Sequence, residues 1–163
     1  MMFMPPQPYL PPGTLRAAIT YPAEPDRFEV GAVGDALRRV RLDYLLPSLD
    51  REARWDKELS LDEQQRLACV RMMQHAPKWI VLDDALSAIA DEHRPLIMAL
   101  FNGALAASAV ICMSRVPAMD HFYSRIIRLL YLPPDVPLHL ATPVRQRPPS
   151  QPFSQQMRSV QAD

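Results

Sequence analysis

The amino-acid sequence predicts an α/β layered fold, and three observations carry that expectation. Two short apolar runs, Trp79–Leu82 and Ala107–Met113, have the length and composition of buried parallel strands, and the first ends in a pair of acids at the point where a strand would feed its C-terminal loop. Segments with helical character stand before and between them, at 60–75 and 91–101. Helices that alternate with short apolar runs pack as layers on a sheet.

Taken in order, Met1–Met4 is apolar and strand-compatible, but Pro5, Pro6 and Pro8 lack the amide that a strand ladder needs and end it at once. Thr14 precedes good helix formers as far as Ile19, and Tyr21-Pro22 stops that short helix. From Val30 the apolar positions Val33, Leu37, Val40, Leu42, Leu45 and Leu46 recur at helical spacing, with Asp35, Arg38, Arg39 and Arg41 on the other side, which predicts one amphipathic helix. Ser60-Leu-Asp-Glu63 fits the S-x-x-E capping box, so a helix is expected from there to about His75, with Pro77 ending it. The stretch from Pro95 to Met113 carries no charge, long enough for a membrane span to be weighed. Asn102-Gly103 is a turn signal in its middle, and helix, turn and buried strand account for it better.

Composition narrows the function classes. Eighteen basic and eighteen acidic residues leave no formal net charge, which argues against nucleic acid or an anionic membrane surface as a partner. Cys69 and Cys112 lie in apolar surroundings without CxxC spacing and read as reduced, buried thiols of a cytosolic protein. The opening residues lack the basic and apolar regions of a secretory signal. No pair among His75, His93, His121 and His139 has metal-ligand spacing. Trp55 and Trp79 read as core or loop anchors. Of 18 prolines, seven fall between Pro133 and Pro152 among Gln, Ser and Arg, a composition that buries too little surface to offset ordering entropy, so disorder is expected over 132–163.

Motifs in sequence register are more specific than any of these features. Leu59-Ser-Leu-Asp-Glu-Gln-Gln-Arg66, then Trp79-Ile-Val-Leu-Asp-Asp84, then Ser87-Ala-Ile-Ala90 resemble the signature motif, Walker B strand and D-loop of ABC-transporter ATP-binding domains. Phe3-Met-Pro-Pro-Gln-Pro-Tyr-Leu-Pro-Pro-Gly-Thr-Leu-Arg16 with Tyr21-Pro22 is similar to the Q-loop segment of exporters in which membrane domain and ATPase are fused, such as bacterial peptide and cobalamin exporters and peroxisomal fatty-acyl transporters. Val110 to Met119 is similar to the switch segment. The resemblance covers residues 1–131. It implies a partial P-loop NTPase core with the helical signature subdomain. The phosphate-binding GxxxxGK[ST] pattern of Walker A occurs nowhere in the 163 residues, so the first strands of that core are expected to be missing as well.

The resemblance implies ATP and Mg²⁺ as ligands, with a membrane domain and a second ATP-binding subunit as partners. It places the chain in the cytoplasm, at the cytoplasmic face of the inner membrane. Ser60, Leu61, Asp62 and Glu63 take the signature positions that approach nucleotide, Asp83 the metal-side carboxylate, and Asp84 the general-base position normally held by glutamate. Pro6 stands at the Q-loop glutamine position with Gln7 one place later, Asp62 replaces the second signature glycine, Ala90 the D-loop aspartate and Arg115 the switch histidine. These departures predict a chain that does not hydrolyse ATP alone. The parent function they imply is ATP-driven export of peptides or related substrates, with two alternatives: a pseudo-ATPase that pairs with an intact subunit, or a decayed gene fragment.

Overall fold

In a computed structural model of the chain, residues 1–114 and 123–127 are described; Arg115, the remainder of the switch segment and the tail 132–163 lie outside them. The chain divides into two units, 1–115 and 116–163. The described residues of the second, 123–127, form no helix or strand.

The first unit is mixed α/β. Strand β1 (Met2–Met4) leads through a proline-rich turn to β2 (Gly13–Thr14) and helix α1 (Leu15–Thr20), followed by a 3-10 turn at Pro25–Arg27 and helix α2 (Val30–Arg39). A second 3-10 segment (Asp43–Ser48), strand β3 (Glu52–Ala53) and the single turn α3 (Trp55–Glu58) precede the long helix α4 (Leu61–His75). Strand β4 (Trp79–Asp83), helix α5 (Arg94–Asn102) and strand β5 (Ala109–Met113) complete it. β4 is the middle of a parallel three-stranded sheet ordered β1-β4-β5, with Leu82 beside Met4 on one side and Cys112 on the other.

Local signals in the sequence placed most of these elements. Thr14 accepts from the Ala17 amide at the start of α1. At α4 both halves of the capping box form: the Ser60 hydroxyl accepts from the Glu63 amide, and the Glu63 carboxylate accepts from the Ser60 amide. The uncharged stretch divides into α5, a turn at Gly103 and β5, but the expected buried strand from Ala107 is a strand from Ala109 with no buried residue, and α5 starts three residues later than the sequence suggests, with Pro95 in its first turn, where a missing amide costs nothing.

Three expectations are corrected. The single helix from Val30 to Leu46 is two elements, because Arg41 adopts a left-handed φ of 57° and the Leu42 amide turns back to the Leu37 carbonyl while that of Arg41 reaches Arg38. This is the double bond of a Schellman stop, and its apolar partners Leu37 and Leu42 are both fully buried. Cys112 is only half-buried, whereas Cys69 is buried and burial pushes its thiol up to about 12. Trp55 is a core residue whose indole donates to the Gly13 carbonyl, but Trp79 is 52% exposed. Among the described residues no helix is long and apolar enough to cross a membrane.

Candidate functional site

The predicted site residues gather around one end of α4 and the carboxyl end of β4, and α4 explains why. Nine consecutive residues, Gln64 to Met72, are buried, polar ones included. Buried polar groups must find partners, and here they find backbone. The Gln64 amide donates to the Asp56 and Leu59 carbonyls. Gln65 donates to the Pro6 carbonyl at 2.8 Å and accepts from the Ala88 amide at 3.1 Å. Arg66 donates to the Val40 and Arg41 carbonyls, just past the C-terminal end of α2. One glutamine therefore ties the Pro6 turn to the loop after β4.

Asp62 is held on several sides. One carboxylate oxygen accepts from the Ala90 amide at 3.0 Å and lies 3.4 Å from His93 Nδ1, and the other pairs with Arg66 at 2.6 Å. Burial would raise its pKa, but the Ala90 amide and the Arg66 guanidinium outweigh burial and hold the carboxyl below its usual range. Glu63 is also shifted down, its burial outweighed by bonds from the Tyr44 hydroxyl and from Ser60. Partial burial, and then the same contact with Glu63, push the Tyr44 phenol up to about 12. Ser60 is exposed, yet its hydroxyl donates to Glu63 at 2.8 Å, and Leu61 is 41% exposed.

Asp83 and Asp84 sit half-buried at the end of β4. Asp84 takes a left-handed φ of 47°, and its amide donates to the Met113 carbonyl at 2.7 Å, which joins the strand end to β5. Aspartate tolerates this conformation better than most residues, though at a cost. Pro6 and Gln7 are both exposed on the turn after β1, and the contact made there is through the Pro6 carbonyl. Ser60, Asp62 and Glu63 are thus brought together on α4, and the 84–93 loop is bound to them through Asp62 and Gln65. Arg115 lies outside the described residues. The sequence reading missed the structural use of Gln64, Gln65 and Arg66; the signal available was three long polar side chains on the buried face of a helix.

The fit of a nucleotide and its metal can be tested on these residues. Asp83 supplies a hard oxygen donor of the kind Mg²⁺ prefers, but no group of three His, Cys, Asp or Glu comes together among the described residues. Where a phosphate would approach the start of α4, the carboxylate of Asp62 is present and already partnered. The Asp62 carboxylate therefore places a negative charge, not a free donor, at the start of α4.

The fold is of the mixed α/β class with a parallel sheet, and the structure is similar to a bacterial Atm1-family ABC exporter with ATP bound, with a TM-score of 0.67 at 19% identity, over 77% of this chain and 22% of that one. That likeness speaks for the fold. In sequence the chain is 32% identical over 136 residues to an ABC transporter D family member 1 of Arabidopsis thaliana, covering 79% of this chain and 10% of that protein. It is 36% identical over 88 residues to an uncharacterized ABC transporter ATP-binding protein of Haemophilus influenzae, and 29% identical over 139 residues to a lysosomal cobalamin transporter of Mus musculus, covering 54% and 79% of this chain and 15% and 23% of those proteins. The chain is homologous to the ATP-binding region of ABC transporters and spans about a tenth to a quarter of the length of these curated relatives. A scan against protein-family models finds no match.

Proposed function

We propose that this chain is a catalytically incompetent ATP-binding region of an ABC transporter, a partial P-loop core whose signature end is closed upon itself. The observation that supports this most directly is the double engagement of Asp62. A signature turn that approaches a nucleotide needs a bare backbone and free donors. Here a carboxylate occupies the glycine position and is bound by Ala90 and Arg66, while the Ser60 hydroxyl is committed to Glu63. At an effective dielectric near 20, a carboxylate about 4 Å from a phosphate charge is repelled by roughly 4 kcal/mol. Asp84 in the base position is one methylene shorter than the glutamate it replaces, and Arg115 carries a permanent charge where a neutral imidazole would hydrogen-bond.

The same reading assigns a membrane domain and a second, intact ATP-binding subunit as partners, a cytoplasmic location, and peptide or related export as the task of the assembled transporter. Asp83 is the residue of this chain that would face Mg²⁺ there. Two measurements test it. The purified 163-residue chain is expected to show no magnesium-dependent ATP turnover above buffer; turnover that disappears in Asp83→Ala would overturn the proposal. ATP-dependent association with an intact homologous subunit is expected to be weak and to tighten more than tenfold in Asp62→Gly, whereas equal association of both variants, with and without ATP, would mean that the start of α4 is a helix cap and nothing more.

A further inference from the structure

Two thirds of the way along α4 a second buried arginine has no acid to match it. Arg71 is 9% exposed; one of its N–H groups donates to the Tyr9 carbonyl at 3.0 Å and another to the Ala18 carbonyl at 2.5 Å. A guanidinium has five N–H donors, so three remain, and the buried Nε is without an acceptor. No carboxylate lies within ion-pairing distance of it among the described residues; the Tyr21 ring lies beneath it, its centroid 5.5 Å from the guanidinium carbon. Burial lowers its pKa to about 10, which leaves it fully charged at neutral pH.

Holding two carbonyls does not require a charge. Gln64, on the same helix, holds two with a neutral amide. An uncompensated buried cation costs several kcal/mol, and buried Arg is ordinarily paired. Arg71 also lines a cavity of about 370 Å³, with walls that include Met2, Met4, Pro8, Tyr21 and Met72. That volume holds roughly a dozen water-sized groups, and a mostly apolar cavity whose lining includes one cation, Arg71, with Tyr9 and Tyr21 beside it, has the general form of a small-molecule site.

We propose that this cavity binds a small apolar monocarboxylate, whose tail lies against the methionines and whose carboxylate is held by Arg71. The chemistry selects this class. A phosphate would bring a second charge with no second cation to meet it, and a neutral apolar molecule would leave the guanidinium uncompensated. An amphipathic acid supplies one negative charge and an apolar body, matching what the cavity presents.

The test uses the unmodified 163-residue chain, ¹³C-methyl-labelled at methionine and titrated separately with octanoate and with octanol, which has the same tail and no charge. The methyls of Met2, Met4 and Met72 are expected to shift saturably with octanoate and at least tenfold more weakly with octanol. Arg71→Lys should keep that preference and Arg71→Met should abolish it. Absence of saturable shifts with octanoate, or equal response to both probes in the unmodified chain, overturns the proposal even if neither variant folds. The experiment involves neither ATP nor a second subunit, so its outcome is independent of the function proposed above.

Discussion

The start of α4 and the sheet it serves are finished to different degrees. At the helix start, Ser60, Asp62, Glu63 and Arg66 all find partners inside the chain, and the loops on either side are tied down by the same side chains. In the sheet, Met4, Ile80 and Leu82 are buried on one face, while on the other Phe3, Trp79, Ile111 and Met113 remain about half exposed. Parallel sheets are ordinarily covered on both faces. The difference teaches that polar completeness and apolar completeness are separate properties: a motif can be internally satisfied while the sheet beneath it keeps apolar surface to spare.

The strongest way to break the polar side of that comparison is Arg66→Met. It leaves the Asp62 carboxylate with the Ala90 amide but no cation on its other oxygen and removes the donor to the carbonyls of Val40 and Arg41, and removing one partner of a largely buried pair costs about 3 kcal/mol. Urea denaturation at neutral pH measures it. The pH dependence sharpens the assignment. Because Asp62 is held below its ordinary value of 3.8 when folded, its stabilisation is fully present above that value and is lost as pH falls through the lower folded pKa. Glu63 acts in the same direction. The unmodified chain should therefore lose stability steeply below about pH 4, and Arg66→Met should flatten that acid limb; identical limbs in both would show that the pair contributes nothing.

A smaller effect, of opposite sign, is expected at the end of β4. Asp84 adopts a left-handed backbone at φ 47°, and among the described residues no hydrogen bond of its side chain offsets this at the strand end. Asp84→Gly should raise stability by about 1 kcal/mol, read as a higher urea midpoint with an unchanged slope. A loss instead would mean that the Asp84 carboxylate stabilises the fold, and the strain at this position would need another explanation.

Legibility in the sequence followed the same division. The capping box, the strand Trp79–Asp83 and the Thr14 cap were readable because each rests on residues close together in the chain. The site was readable in part: Ser60, Asp62 and Glu63 stand at one helix start as their spacing requires, but their engagement with Ala90, His93 and Tyr44 spans 19 to 31 positions and has no local signal. The break of α2 at Arg41 was hidden because arginine is not a residue that marks a left-handed turn; its cause lies in the burial of Leu37 and Leu42 and in Arg66, 25 residues on. Arg71 was hidden for the same reason, since an arginine in a helical run reads as a solvated face until the loops around it are placed.

The smallest expected change in stability tests the apolar side. Ile111 and Met113 are each 50% exposed and lie on the open face of β5, where their registered neighbours are Val81 and Asp83. Ile111→Thr keeps a β-branched side chain and Met113→Gln keeps length, so strand preference is little disturbed. Since only about half of each side chain is buried, the combined loss should stay under about 1 kcal/mol at the usual 0.8 kcal/mol per buried methylene. Aggregation is where the effect should appear: a contiguous apolar patch is what drives association, so the double variant should stay monomeric by light scattering at concentrations where the unmodified chain associates, and should bind less of a hydrophobic dye. If the double variant associates as readily as the unmodified chain, the open face is not what makes the molecule adhesive, and the contrast with the helix start would lose its apolar half. If instead stability drops by several kcal/mol, these side chains are held more tightly than their exposure indicates, and the sheet is as complete as the helix above it.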